Sequence, residues 1–263
     1  MRQYTWILAA LLLTACATGE LQQEAASTSP PDLAIEEGIH MPEAIDPPQE
    51  MEPAPEEEVP EPKKTAYITI DDGPSELVTP RILDILKEHD IRATFFVLPK
   101  HGLEHIVERM IAEGHQLGNH TYSHNYDRLY GGACQLFRED VLRARAYLEE
   151  TFDYETHLFR FPGGSKSWDP SAIAVRREIL AELQYRDFDW DISIGDTDPS
   201  PAGRDPKVFV AKVNGNLKDQ EKVVILMHDS AGKTATVEAL PEIIGILRES
   251  GYDFDVLGNY FEA

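Results

Sequence analysis

The sequence predicts an α/β fold with parallel strands joined by crossover helices, on two observations. From Lys63 onward, short apolar runs alternate with stretches whose apolar residues recur at helical spacing. The polar motifs each stand directly after an apolar run, at the strand end where α/β folds build their sites. About seven such strands in about 200 residues leave a barrel and an open doubly wound sheet both possible.

The first strand spans residues 66–70 and stops at Gly73-Pro74. A helix follows over 80–89, with Ile82, Leu83, Ile85 and Leu86 inward, Thr79 as N-cap and Pro80 as its first residue. A strand over 93–98, a helix over 104–113 and a strand over 116–119 lead to a histidine-rich stretch. Residues 136–150 form a strongly periodic helix, and 158–161 a strand ending at Pro162-Gly163-Gly164. A helix over 172–183, one strand over 185–192 and a helix over 208–217 come next. The apolar strand 223–227, a helix over 237–248 and a strand over 254–256 complete the domain.

The charge is unevenly placed. Of the net −23, thirteen acidic side chains fall within residues 17–63, together with nine of the eighteen prolines. Like charges and missing backbone donors keep such a stretch extended, so 17–63 is expected to be a disordered tether and 64–263 the folded domain. The domain is itself acidic. No nucleic-acid partner is expected, because phosphate neutralisation needs clustered Lys and Arg. Ahead of the tether, Arg2 precedes an apolar run over 6–13, too short to span a bilayer and suited to a secretory signal. It ends in Leu13-Thr14-Ala15-Cys16, which resembles the lipobox of bacterial lipoproteins. That resemblance implies a signal peptide over 1–16, cleavage before Cys16, acylation of Cys16, and a protein anchored to a membrane rather than spanning it. The second cysteine, Cys134, is then left as a free thiol on a helix.

The chemistry centres on Asp71-Asp72. Two ionised carboxylates side by side at a strand end repel each other and need a cation or a shared proton. Alone, Asp-Asp-Gly reads as a polar β-turn. His120 and His124 downstream supply imidazoles, and one Asp with two His is a divalent-metal donor set that leaves positions open. The other Asp is then free to act as a base.

Five stretches stand at strand ends: Thr69-Ile70-Asp71-Asp72-Gly73, His120-Thr121-Tyr122-Ser123-His124, Arg160-Phe161-Pro162-Gly163-Gly164, Trp190 through Asp196, and Leu226-Met227-His228-Asp229. In this order they resemble the five motifs of the polysaccharide deacetylases, the NodB-homology carbohydrate esterases. The resemblance implies a distorted (β/α)7 barrel and metal-dependent hydrolysis of N- or O-acetyl groups on sugars. By the same resemblance Asp72, His120 and His124 hold a divalent metal, Zn²⁺ first and Co²⁺ or Mn²⁺ as alternatives. Asp71 is the catalytic base and Arg160 orients it. His228 is the general acid and Asp196 keeps it protonated. The Gly163 N–H faces the tetrahedral oxyanion, and Leu226 walls the pocket for the acetyl methyl. Two departures stand out. Gly163 replaces a Tyr that many relatives carry, and Thr197 replaces the Trp that would form the other pocket wall. The other histidines, His40, His89, His101, His105, His115 and His157, match no motif and are expected to face solvent.

The expected protein is a monomeric, lipid-anchored deacetylase of the bacterial cell envelope, facing the periplasm or the exterior. Its expected substrate is N-acetylglucosamine in an N-acetylated polysaccharide, peptidoglycan first. An O-acetyl esterase on xylan is the rival within the class, and an inactive carbohydrate-binding lipoprotein the rival outside it.

Overall fold

Lys64–Asp71 forms β1, and the alternation of its side chains sets the layers of the domain. In the computed structural model, which describes residues 64–261, Ala66, Ile68 and Ile70 enter the large core beneath the helices. Tyr67, Thr69 and Asp71 take the opposite face, with Tyr67 in a smaller cluster beside Phe96, Val224 and Leu257. β7 (Lys222–His228) repeats the pattern, with Val223, Ile225 and Met227 in the large core and Val224, Leu226 and His228 on the inner face. Each fully buried Ile or Val is worth about 1.5–3 kcal/mol against exposure, so a one-residue slip in either strand is costly.

β1 and β7 run parallel and in register from Thr65 opposite Lys222 to Asp71 opposite His228. β2 (Thr94–Val97), β3 (Gln116–Asn119), β4 (Leu158–Phe159) and β5 (Arg186–Asp187) extend the sheet on one side of β1, and β6 (Ile192–Ser193) lies outside β7. The order is therefore β5-β4-β3-β2-β1-β7-β6, and β8 (Tyr252–Phe254) pairs with the first half of β1. All pairs are parallel. Helices α1 (Thr79–Glu88), α2 (Glu104–Ala112), α5 (Pro206–Asn216) and α6 (Thr234–Glu249) cover the large core. α3 (Cys134–Phe152) and α4 (Pro170–Glu182) enclose a second cluster around Phe137, Phe159, Phe161 and Ile173. This is the distorted (β/α)7 barrel that the sequence leads one to expect. No helix among the described residues is long and apolar enough to cross a membrane.

Three expectations need correction. Residues 185–192 are not one strand: Arg186–Asp187 pairs with β4 and Ile192–Ser193 with β7, and among the described residues β5 and β6 share no ladder. The barrel is open there. Thr79 is not the N-cap of α1 but its first residue; its hydroxyl accepts from Ser75 N–H and donates to Asp229 Oδ2 at 2.6 Å, and Val78 stands at the cap position. His115 does not face solvent. It is 5% exposed, packs edge-on to Phe95 and accepts the Ala93 N–H at Nδ1, and burial lowers its pKa to about 4. His101, His105 and His157 are exposed and His89 is half-buried. Cys134 is a free, half-buried thiol at the start of α3. The signal, Cys16, His40 and the tether through residue 63 lie outside the described residues.

Candidate active site

Asp72, His120 and His124 converge at the C-terminal ends of β1 and β3, and their ligand atoms lie within 4.8 Å of one another. Asp72, Thr121 and His124 all have positive φ, at 76°, 72° and 50°. Such conformations cost non-glycine residues roughly 1–3 kcal/mol each and persist only where neighbours fix them. Asn119 accepts the Thr121 N–H at 2.8 Å, while its amide donates to Val141 O and the Tyr185 hydroxyl. Asp140, fully buried on α3, accepts from Tyr122 N–H, Ser123 N–H, Ser123 Oγ and Arg128 Nε. A carboxylate below the loop thus holds the two histidines in place.

The donor atoms suit a cation. His120 Nδ1 lies 2.9 Å from Arg160 O, so the ring proton sits there and the Nε2 lone pair is free. Asp72 Oδ1 is buried, 3.4 Å from His120 Nε2 and 3.2 Å from His124 Nε2, yet has no partner in hydrogen-bonding geometry among the described residues. Burial and the nearby His120 lower the pKa of His124, which favours neutral imidazole. Burial works against ionising Asp72, but the imidazoles of His120, His228 and His124 outweigh it and hold the carboxyl well below its usual range. An orphaned carboxylate oxygen facing two imidazole nitrogens is what a divalent ion would satisfy.

Asp71 sits one layer deeper, 3% exposed, with Arg160 Nη1 donating to its Oδ1 at 3.0 Å. Arg160 is fully buried. Its other donors meet Thr69 Oγ1, Phe188 O and Asp189 O at 2.7, 2.9 and 3.1 Å, and its guanidinium lies 4.2 Å from the Phe96 ring centroid. A buried charge tolerates such a place only when paired and hydrogen-bonded on all sides.

Opposite Asp71 in the β1–β7 register stands His228. Its Nδ1 meets Asp196 Oδ1 at 2.8 Å, while Asp196 Oδ2 accepts the His228 N–H and the Thr236 hydroxyl. Burial disfavours imidazolium, but the hydrogen bond and charge of Asp196, with Asp71 and Asp72 nearby, outweigh it and raise the pKa of His228. Among the acidic residues of this stretch, Asp187 pairs with Arg177, Asp189 accepts from Ser165, Asp191 accepts the Val224 N–H and Asp198 accepts the Ser200 N–H. Asp196 is the one that meets His228.

Leu226 shares the inner face of β7 with His228 and is 3% exposed, whereas Thr197 is exposed. Gly163 follows Pro162 in the turn beyond Arg160, with φ +77°. Sequence reasoning missed three contributors. Asp229, fully buried, packs its carboxyl where a Cβ on Gly73 would stand, accepts from Ser75 Oγ at its carbonyl and donates its N–H to Asp71 O. Asp140 fixes the histidine loop. Tyr126, 45% exposed, lies with its ring 5.4 Å from that of His124 and beside Gly163. Only Asp229 had a signal, its place next to His228.

A parallel barrel that carries a metal-type donor set, a buried carboxylate–arginine pair and an aspartate–histidine pair at one strand edge is the architecture of a metal-dependent hydrolase. The family model for polysaccharide deacetylases matches residues 58–186, ending before Asp196 and His228. YheN of Bacillus subtilis (strain 168), a polysaccharide deacetylase by name, is 39% identical over 202 residues, covering 74% of this chain and 67% of its own. Peptidoglycan-N-acetylglucosamine deacetylase PgdA of Listeria monocytogenes (strain 10403S) is 31% identical over 75% of this chain, which spans 39% of that relative's length. A solved carbohydrate esterase of Streptococcus mutans superposes with a TM-score of 0.69 at 32% identity, covering 74% of this chain and 86% of that one. The chain belongs to the polysaccharide deacetylase family.

Proposed function

We propose that this domain hydrolyses the acetamido group of N-acetylglucosamine units in a cell-envelope polysaccharide, with peptidoglycan as the first substrate. The observation that carries this reading is the convergence of three units on one rim: Asp71 with Arg160, His228 with Asp196, and the Asp72–His120–His124 donor set. A divalent cation held by those three donors, Zn²⁺ for preference, polarises the acetyl carbonyl and acidifies water when bound. Asp71, oriented by Arg160, takes the proton of the attacking water as its oxygen bonds to the carbonyl carbon. The Gly163 N–H donates to the resulting oxyanion. His228, its Nδ1 engaged by Asp196, gives the Nε2 proton to the leaving nitrogen as the C–N bond breaks, releasing acetate and a free amine. Leu226 lines the methyl pocket, where one buried methyl is worth about 0.8 kcal/mol. Peptidoglycan is favoured by the activity for which the Listeria relative is named and by a long acidic tether behind a lipidated Cys16. That anchor gives the protein a place on a membrane facing the periplasm or exterior, and it acts there as a monomer.

The test is acetate release by the full chain on peptidoglycan, chito-oligosaccharides and acetylated xylan, with Zn²⁺ or chelator. Chelator-sensitive release from the first two supports the reading, and release from xylan alone moves the protein to the O-acetyl esterases. Asp71→Asn, with its metal content retained, lowers kcat by about 10²–10³-fold. Full activity in that variant would sink the mechanism.

A further inference from the structure

Phe161-Pro162-Gly163-Gly164 is a β-turn closed by the Gly164 N–H donating to Phe161 O at 2.8 Å. Pro at its second position and φ +77° at Gly163 make it type II. Types I and II differ by a flip of the central peptide, here Pro162–Gly163, and glycine offers no side chain to resist that flip. The flip would carry the Gly163 N–H from one side of the turn to the other.

Several side chains hold one state. The Tyr130 hydroxyl donates to Pro162 O at 2.9 Å, and Trp168 Nε1 donates to the same oxygen at 3.2 Å. The two rings stack, with centroids 3.9 Å apart and planes 18° from parallel. Tyr130 is itself fixed, because buried Arg176 donates to Leu129 O at 2.6 Å and to Tyr130 O at 3.3 Å. Burial raises the pKa of Tyr130 far above the usual phenol, so its hydroxyl keeps the proton it donates. On the next peptide, Ser167 Oγ donates to Gly163 O at 2.7 Å.

A trans peptide points its C=O and N–H in opposite directions. Two donors on Pro162 O therefore turn the Gly163 N–H away from Tyr130 and Trp168, and among the described residues no acceptor meets it. Gly163 is linked to the donor set through Tyr126. A Cβ built there would lie 3.4 Å from the Tyr126 hydroxyl, and the Tyr126 ring neighbours His124.

We propose that Tyr130 and Trp168 are positioning residues: their hydrogen bonds to Pro162 O lock the Pro162–Gly163 peptide in the flip state that presents the Gly163 N–H to the oxyanion. This rests on the oxyanion role given to Gly163 above. Glycine at 163 supplies no steric restraint of its own, and the stacked pair supplies it instead.

Tyr130→Phe keeps the ring and removes the hydroxyl, and Trp168→Phe removes the indole N–H. In the full chain, the double variant lowers kcat about 10- to 100-fold while KM moves less than about threefold, because the alignment matters only where the oxyanion forms. Pro162-Gly163 is the only Pro-Gly pair in the sequence, so labelling with ¹³C′-proline and ¹⁵N-glycine isolates its amide. That amide gives one signal in the wild type and a displaced or doubled one in the double variant. Wild-type kcat, or an unmoved single signal, in the double variant overturns the lock. If the double variant does not fold, Tyr130→Phe alone, lacking one oxygen, carries both readouts. No acetate release from the wild type overturns the deacetylase reading instead, and the amide signal still decides the lock.

Discussion

The two sides of the barrel are built by different means. β1 and β7 pair from Thr65 and Lys222 to Asp71 and His228, so the main-chain ladder sets Asp71, the proposed base, opposite His228, the proposed acid. β4, β5 and β6 have two residues each, and β5 and β6 share no ladder. There the guanidinium of Arg160 bridges β1 and the 188–189 segment, and the turn that bears Gly163 is held by side chains. A ladder spreads its register over many bonds and tolerates a single substitution. A seam closed by a few side chains does not.

The largest expected effect comes from breaking that seam. Arg160→Met leaves Asp71 buried and uncompensated, costing about 3–5 kcal/mol in urea denaturation and nearly all turnover. On the ladder side, Val223→Ala costs about 2 kcal/mol in the core but leaves kcat/KM close to wild type, because register survives. Equal losses of turnover in the two variants would erase the contrast.

A smaller effect tests the proposed acid, His228. The pKa of His228 is raised, so the imidazolium it needs as proton donor is present below that pKa and lost as pH rises through it. Asp196→Asn removes the main partner that raises it. The alkaline limb of the kcat profile then shifts to lower pH, with a loss of about tenfold at pH 8 and less at pH 6. A limb that stays in place would show that Asp196 does not govern His228.

The smallest effect concerns Asp229, whose pKa burial pushes up to about 7, with Asp72 adding to the rise and Thr79 opposing it. The folded state keeps a proton that the unfolded chain releases near pH 4, so this residue makes stability fall as pH climbs from about 4 to 7. Asp229→Asn flattens that slope. In chelated protein, the difference in Tm between about pH 6.3 and pH 8, where this proton is worth about 1 kcal/mol, shrinks by about 2–4 °C.

Much of this was legible in residue order. The strand–helix alternation gave parallel strands with crossover helices and left barrel and open sheet both possible; the five motifs, by their family resemblance, pointed to the barrel. The donor set, the Asp71–Arg160 pair and the His228–Asp196 pair all come together as those motifs imply. The misses share a cause. Residues 185–192 carry Arg186, Asp187, Asp189 and Asp191 among apolar side chains, and local pattern does not reveal that the two ends pair with different strands. Thr79 has the chemistry of a cap, but Ser75 and Asp229 claim its hydroxyl. Asp140, Asp229 and the Tyr130–Trp168 pair act through partners distant in sequence, which residue type alone does not disclose.

Arg160 binds the fate of the fold to that of the reaction. Loss of His228 alone would remove the proposed proton donor and leave the buried Arg160–Asp71 pair, and the fold around it, in place. Loss of the arginine would remove both at once.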